Sequence, residues 1–212
     1  MVKISKKTKN NKIILEKLAA AYPDAKPALE FKSAYELLVA VLLSAQCTDQ
    51  RVNIVTKELF QVAPDPQSMV ELGEDAIRGI IKSCGLYKNK AKNIFSLSKI
   101  LMEKYDGQVP SQREDLESLP GIGRKSANVV MNVCFGIPAI AVDTHVFRVS
   151  RRLGLSAGKD VLAVEKDLMA AIPPEDWGSA HHWLIFHGRR VCKAQKPQCD
   201  NCPLAEVCPK LI

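Results

Sequence analysis

Hydrophobic residues recur at helical spacing along almost the whole chain, and this pattern constrains the fold more than any other feature. Val146, Val149 and Leu153, for example, fall on one face of a helix. A period of three to four residues is typical of helices that pack one face against a core. No alternating hairpin pattern interrupts it, and the short apolar stretch 137–142 contains a proline and is interpreted as a connector. The sequence therefore predicts an all-α fold.

Capping signals indicate where several of these helices begin. Ser33 followed by Glu36, and Ser111 followed by Glu114, both match the capping box. In that motif the two side chains satisfy free backbone N–H groups reciprocally. The proline-containing segment 63–68 is interpreted as a break between two helices.

The charge of the chain indicates the chemistry of its partner. Lysine and arginine number 30 against 23 acidic residues, a formal net charge of +7 with a pI near 9.0. This excess favours an acidic partner, with nucleic acid first and a membrane surface second. The N-terminal segment 3–12 has five lysines and no acid, so it is either a phosphate-seeking arm or an inert solvated tail. The sequence has neither a transmembrane run nor a secretory signal, and we expect an intracellular protein without membrane association.

Four cysteines crowd the C-terminal part of the sequence. Cys192, Cys199, Cys202 and Cys208 are separated by six, two and five residues. Thiolates at such spacing bind either zinc or an iron–sulfur cluster. Structural zinc sites usually pair their ligands in two short C-x-x-C units, and here only one pair is that tight. The spacing therefore favours a four-iron cluster with one cysteine per iron and leaves zinc as the alternative.

A glycine turn between two predicted helices is the first candidate for anion binding. In the stretch Leu119–Gly123, Gly121 and Gly123 leave backbone N–H groups unobstructed by a Cβ atom. The following helix adds its own free N–H groups and the positive end of its dipole. One interpretation is a site for a backbone phosphate, and the other is simply a tight turn.

Lys125 and Asp143 are the candidates for catalysis. Lys125 follows Arg124 in the first turn of a helix, where the dipole should destabilise its charged form and favour a nucleophilic amine. The alternative is a solvated, phosphate-binding lysine. Asp143 stands in an N-cap position, and its carboxylate either only caps the helix or also stabilises a developing cation. The adjacent His145 is interpreted first as a structural residue near that helix start.

Three motifs taken together resemble the endonuclease III family, the DNA glycosylase/AP lyases of the helix-hairpin-helix superfamily. They are the stretch LPGIGRKSANVV at 119–130, VDTHVFRV at 142–149, and the four-cysteine tail. The resemblance extends from about Leu15 to Cys208. It implies a two-domain, all-α glycosylase fold with a C-terminal [4Fe-4S] cluster loop.

The resemblance also implies a division of the chain. Residues 27–137 would form a six-helix barrel domain containing the helix-hairpin-helix. Residues 1–26 and 138–212 would form a discontinuous cluster domain, with the four cysteines as ligands. DNA would lie across the cleft between the domains, where Lys125 and Asp143 would meet.

The implied activity is that of a bifunctional enzyme of base excision repair. It would excise oxidised pyrimidines from duplex DNA through a Schiff base on Lys125 and cleave the strand 3′ to the abasic site by β-elimination. Asp143 would stabilise positive charge on the sugar while the damaged base is flipped out of the stack. Alternatives are a monofunctional mismatch or adenine-type glycosylase, or a non-catalytic helix-hairpin-helix DNA-binding protein.

The resemblance finally implies residues that contact the DNA. Gln46 and Leu86 would fill the space left by the flipped nucleotide, although Gln46 could be a plain helix-end residue and Leu86 a core leucine. Further DNA contacts are expected from Leu119, Gly121, Gly123, Arg124 and His145. The expected partner is double-stranded DNA that contains damaged pyrimidines or abasic sites. We expect a monomer in the cytoplasm, associated with the nucleoid.

Overall fold

The computed structural model describes residues 6–211, with no account of the side chains of residues 6–9. Within this range there are eleven α-helices and no strand, as the hydrophobic periodicity predicts. The helices are α1 Lys6–Ala21, α2 Ala34–Ser44, α3 Asp49–Val62, α4 Pro66–Leu72, α5 Glu74–Ile80, α6 Tyr87–Tyr105, α7 Arg113–Ser118, α8 Arg124–Phe135, α9 Thr144–Arg152, α10 Val161–Ala171 and α11 Trp177–Arg190.

The chain divides into two compact units. One is Pro27–Ile137, and the other combines Met1–Lys26 with Pro138–Ile212 as far as these are described. The first unit contains α2–α8, which are seven helices rather than the six that the resemblance implies. α4 and α5 are short and meet at Gly73, whose φ of 81° interrupts the helix.

α2 is the central helix of the unit Pro27–Ile137. Its residues 35–43 are all buried, so apolar side chains cover the helix on every side. α2 packs against α3, α6 and α8, while α7 packs against α8. This arrangement brings the end of α2, the start of α6 and the turn before α8 close together.

The second unit has its own hydrophobic core. Ile14 and Leu18 of α1 lie in this core with Val146 and Val149 of α9 and Leu184 of α11, all fully buried. The connector after residue 137 is irregular and buried at residues 139–142, so the interpretation of this apolar stretch as a connector is confirmed.

The structure corrects several expected helix boundaries. Ser33 accepts the Glu36 N–H as predicted, but the Glu36 carboxylate accepts the N–H of Lys32, so the box is not reciprocal. The predicted box at Ser111 is wrong, because α7 begins two residues later and its N-cap Gln112 makes no side-chain cap bond. Within the expected break 63–68, Asp65 forms a capping box with Ser68, and α4 begins at Pro66. A proline fits the first helical turn because its missing N–H would have no helical partner there.

The basic N-terminal segment is helical where it is described. α1 begins at Lys6, so residues 6–12 form neither an irregular arm nor an irregular tail, and residues 3–5 lie outside the described part. Among the described helices, none combines the length and the apolar character needed to cross a membrane.

Candidate active site

The turn between α7 and α8 has a geometry that only glycine allows at one position. Gly121 has φ of 82°, and a Cβ atom there would lie 2.7 Å from Nδ2 of Asn93 and 3.0 Å from Cδ1 of Leu42. Leu119 and Ile122 are buried, and the Ile122 N–H donates to the Leu119 carbonyl at 3.1 Å. The two apolar side chains therefore anchor the turn in the core while its glycines stay exposed.

α8 begins without a side-chain cap. Gly123 is the N-cap residue in an extended conformation, makes no side-chain cap bond and has open space where a Cβ would be. The first N–H groups of a 12-residue helix are thus accessible together with its positive end. This combination suits an anion such as a phosphate.

The two basic residues that open α8 differ in their surroundings. Arg124 lies 4.0 Å from the Glu117 carboxylate, whereas Lys125 is exposed at the second position of the helix. Lys125 is therefore accessible to a ligand bound at the turn.

Gln46 and Leu86 share two unusual properties. Both are exposed, Leu86 by 56%, and both have left-handed backbones, with φ of 53° and 58°. The two loops touch, because a Cβ added at Gly85 would lie 3.0 Å from the Gln46 carbonyl oxygen. The core-leucine alternative for Leu86 is thus wrong. Non-glycine residues in this conformation cost free energy and concentrate at functional sites.

Asp143 and His145 belong to the other unit. Asp143 is half-buried, and its carboxylate accepts the Val146 N–H at 2.8 Å, so the predicted N-cap of α9 is confirmed. Burial is the main cause that lowers the pKa of His145; the Asp143 charge opposes it and the Arg148 charge adds to it. Nδ1 of His145 lies 3.3 Å from Nη2 of Arg148, and since a guanidinium only donates, Nδ1 accepts.

Three cysteines of the C-terminal tail pack against the core of their unit. They are Cys192, Cys202 and Cys208, and all four tail cysteines, Cys199 included, are half-buried. Burial raises the pKa of Cys202, the Leu204 N–H opposes this, and the charges of the other three tail cysteines raise it further. The four thiols are therefore close enough to influence one another.

The donor set fits an iron–sulfur cluster. All four tail side chains are cysteine thiols, the ligand type that such clusters use. Backbone N–H groups of Leu204 and Lys210 lie 3.4 Å from the sulfurs of Cys202 and Cys208. Such N–H···S bonds stabilise thiolates that bind iron.

Arginines of α9 hold the loop that carries these cysteines, and the sequence analysis did not identify them. Arg148 donates to the carbonyls of Gly188 and Cys192. Arg152 donates to the carbonyls of Lys193 and Ala194 and lies 3.6 Å from the Cys192 sulfur. Arg148 and Arg152 are four residues apart and therefore lie on one face of α9. This spacing was the feature of the sequence that could have indicated a shared role.

A buried histidine also approaches the cysteines. His187 is 1% exposed; its Nδ1 lies 2.9 Å from the Tyr22 hydroxyl and its Nε2 3.7 Å from the Cys202 sulfur. Burial lowers the pKa of His187 to about 4, so the ring is neutral near pH 7. His181 is likewise bonded, with Nδ1 2.7 Å from the Ala141 carbonyl. Both rings are therefore fixed by hydrogen bonds within this unit.

Comparison with known proteins defines first the class and then the family. The model of the HhH-GPD superfamily base excision DNA repair protein matches residues 39–174, and that of the iron-sulfur binding domain of endonuclease III matches residues 192–208. Endonuclease III of Bacillus subtilis (strain 168) is 54% identical over 92% of this chain and 89% of its own. Endonuclease III of Escherichia coli (strain K12) is 49% identical over 92% of each chain.

Solved structures agree with these relatives. A trapped endonuclease III–DNA covalent intermediate (the estranged-adenine complex) is 50% identical, with a TM-score of 0.91 over 96% of each chain. A thermostable thymine-DNA glycosylase shares the fold, with a TM-score of 0.86 at 21% identity, over 97% of this chain and 98% of its own.

The chain belongs to the endonuclease III family. It is a base excision repair enzyme, a DNA glycosylase with AP lyase activity, and its cofactor is a [4Fe-4S] cluster.

Proposed function

We propose that this enzyme excises oxidised pyrimidines from duplex DNA and cleaves the strand 3′ to the resulting abasic site. The observation that carries the proposal is the position of Lys125, exposed in the first turn of α8 directly after the uncapped glycine turn. An amine beside a phosphate site lies at the level of the DNA backbone, where the sugar carbons are.

The phosphate is assigned to the start of α8. Backbone N–H groups after Gly123 would donate to it, and Gly121 and Leu119 shape the turn that presents them. Arg124 adds a positive charge at the same helix end. Contacts of this kind fix the register of the protein on the duplex without reading the sequence.

Gln46 and Leu86 are assigned to the space left by the flipped nucleotide. Their adjacent loops and exposed side chains support this role, with one polar and one apolar group available for the stack. Apolar side chains inserted between bases are a common means of holding a kinked duplex. The glycosidic carbon is accessible only when the damaged base is outside the stack.

The chemistry is assigned to Lys125 and Asp143. The Lys125 amine attacks C1′ of the sugar through its nitrogen lone pair, the bond to the base breaks, and the base leaves with the proton that the nitrogen gives up. The Asp143 carboxylate, held rigidly by its cap bond to Val146, stabilises the positive charge that develops on the sugar. The C1′–O4′ bond then opens, O4′ gains a proton, and the nitrogen lone pair forms the C=N bond of the Schiff base. The Schiff base acidifies the C2′ proton, whose removal expels the 3′ phosphate. His145 is assigned to DNA contact beside Asp143.

The four tail cysteines are assigned as the ligands of the [4Fe-4S] cluster. When bound, the cluster cross-links the C-terminal loop, as structural metal sites do. The carbonyl bonds from Arg148 and Arg152 fix the loop from the side of α9. The cluster is therefore proposed as a structural element of the unit that carries Asp143.

The proposed partner is double-stranded DNA that contains damaged pyrimidines or abasic sites. The net charge of +7 supports a polyanionic partner, and solved endonuclease III structures include complexes with DNA. We further propose that the enzyme acts as a monomer in the cytoplasm, in association with the nucleoid.

A panel of duplexes with one lesion each tests the substrate class. The duplexes carry thymine glycol, 8-oxoguanine, adenine opposite 8-oxoguanine, or a plain abasic site. The proposal predicts strand cleavage at thymine glycol and at the abasic site, with little at the two purine lesions. Base release without cleavage would favour the monofunctional alternative, and binding without base release the non-catalytic one. Preference for either purine lesion would refute the proposed substrate.

A further inference from the structure

Lys90 is a buried lysine that the proposed chemistry does not use. It lies on α6, is only 4% exposed, and donates from Nζ to the Leu43 carbonyl at 2.8 Å. Lysine is rarely buried to this extent, because the ammonium loses its hydration. The bond to the Leu43 carbonyl offsets part of this loss of hydration. We therefore expect a lysine at this position to have a function.

The bonds of Lys90 join the two loops that carry the proposed DNA wedges. Leu43 lies in the last turn of α2, three residues before Gln46. The backbone N–H of Lys90 donates to the Leu86 carbonyl at 3.1 Å. The side chain of Lys90 thus bonds to the chain just before the first wedge, while its backbone makes the ordinary first-turn helix bond to the second wedge.

Both loops need such support. Gln46 and Leu86 have left-handed backbones that non-glycine residues adopt only when their surroundings hold them. Leu86 is the N-cap residue of α6 and makes no side-chain cap bond, so the start of the helix depends on other contacts. The close approach of Gly85 to the Gln46 carbonyl shows that the two loops are packed together.

Two cysteines complete the surroundings of the Lys90 amine. Burial lowers the pKa of Lys90, whereas any charge on Cys84 or Cys47 would raise it. Cys47 follows Gln46 directly, and Cys84 is buried two residues before Leu86. The amine therefore lies between the loop of Gln46 and the loop of Leu86.

We propose that Lys90 is a positioning residue that holds the Gln46 and Leu86 side chains at a fixed separation, so that both enter the base stack together. This inference rests on the proposed function, in which these two side chains replace the flipped nucleotide. Without the bond from Lys90, the Leu43 carbonyl at the end of α2 loses its buried partner. The Gln46 loop is then free to move relative to Leu86.

The test uses the cluster-loaded full chain and a duplex with 2-aminopurine opposite a tetrahydrofuran abasic analogue. The fluorescence rises when the wedges unstack the 2-aminopurine. Lys90→Met removes the donor at similar side-chain length, and Lys104→Met, exposed at the other end of α6, removes the same charge as the matched control. We expect Lys90→Met to lose most of the fluorescence rise and about tenfold of the preference for the abasic over the undamaged duplex. Lys104→Met should retain both.

A double-mutant cycle separates positioning from a general structural role. If Lys90 acts through the wedge, Lys90→Met should add little to the loss already caused by Leu86→Ala. Additive losses, or an equal loss of affinity for undamaged DNA, would overturn the inference. Lys90→Leu, which also lacks a donor, replaces the methionine variant if the latter does not retain its cluster absorbance and helical circular dichroism, and the same losses are expected of it.

The same data distinguish this inference from the proposed function. If neither Gln46→Ala nor Leu86→Ala changes the fluorescence rise, the wedge assignment itself fails. If those variants lose the rise and Lys90→Met retains it, only the role of Lys90 is refuted.

Discussion

The two glycines of the turn before α8 should respond differently to replacement by alanine. Gly121→Ala should lower the stability of the fold, and Gly123→Ala should weaken DNA binding. Gly121→Ala places a methyl group in a left-handed backbone with φ of 82°, 2.7 Å from Nδ2 of Asn93 and 3.0 Å from Leu42. The left-handed conformation alone costs about 1–2 kcal/mol for alanine. Since the Asn93 and Leu42 side chains must also shift, we expect a total of about 2 kcal/mol. For a chain of this size that corresponds to a fall in Tm of about 4–8 °C.

Gly123→Ala is the matched control. Its φ of −105° suits alanine, and nothing lies within 4 Å of the added methyl group. We expect little change in Tm but weaker binding to undamaged duplex, because the methyl group occupies the space assigned to the phosphate. Thermal unfolding followed by circular dichroism and fluorescence-anisotropy titration measure the two effects. Equal Tm values for the two variants would refute the steric argument, and unchanged DNA affinity of a folded Gly123→Ala would refute the phosphate assignment.

Three further predictions concern the unit that carries Asp143. Asp143→Asn should keep the cap of α9 and its Tm, whereas Asp143→Ala should lose about 1 kcal/mol in urea unfolding, and both should lose base release from a lesion duplex. Tyr22→Phe should lose about 1 kcal/mol in the same measurement, because Nδ1 of His187 loses its partner. Burial lowers the pKa of His182 in the folded state. As the pH falls below about 6.5, the imidazole of His182 is therefore protonated in the unfolded state before it is protonated in the folded state. The unfolding free energy should fall over that window, and His182→Gln should reduce the slope; an unchanged slope would contradict this.

Local features of the fold were predicted from the sequence because their causes are local. Asp143 caps α9 and Ser33 caps α2 through bonds to residues three positions along the chain. The prediction at Ser111 failed for an equally local reason, since Gln112 rather than Ser111 is the N-cap residue and α7 begins at Arg113. A proline such as Pro66 usually indicates the end of a helix. Here Pro66 is the first residue of α4, because Asp65 caps the start of that helix.

The long-range features could not be predicted in this way. Hydrophobic periodicity shows that Lys90 belongs to a helix but not that its amine points inward to Leu43, 47 residues away. The left-handed backbones of Gln46 and Leu86 likewise depend on the packing of two loops. The bonds of Arg152 to the cysteine loop could not be predicted either, because their acceptors lie more than 40 residues further along the chain.

The central claim is that the Lys125 amine is the nucleophile. Borohydride reduces a Schiff base to a stable amine, so it cross-links the protein to an abasic-site duplex only when an amine has attacked the sugar. The account predicts a cross-linked product with the native chain and none with Lys125→Ala, while Arg124→Ala, the neighbouring cation, still cross-links. An undiminished cross-link in a folded, cluster-loaded Lys125→Ala protein would contradict it.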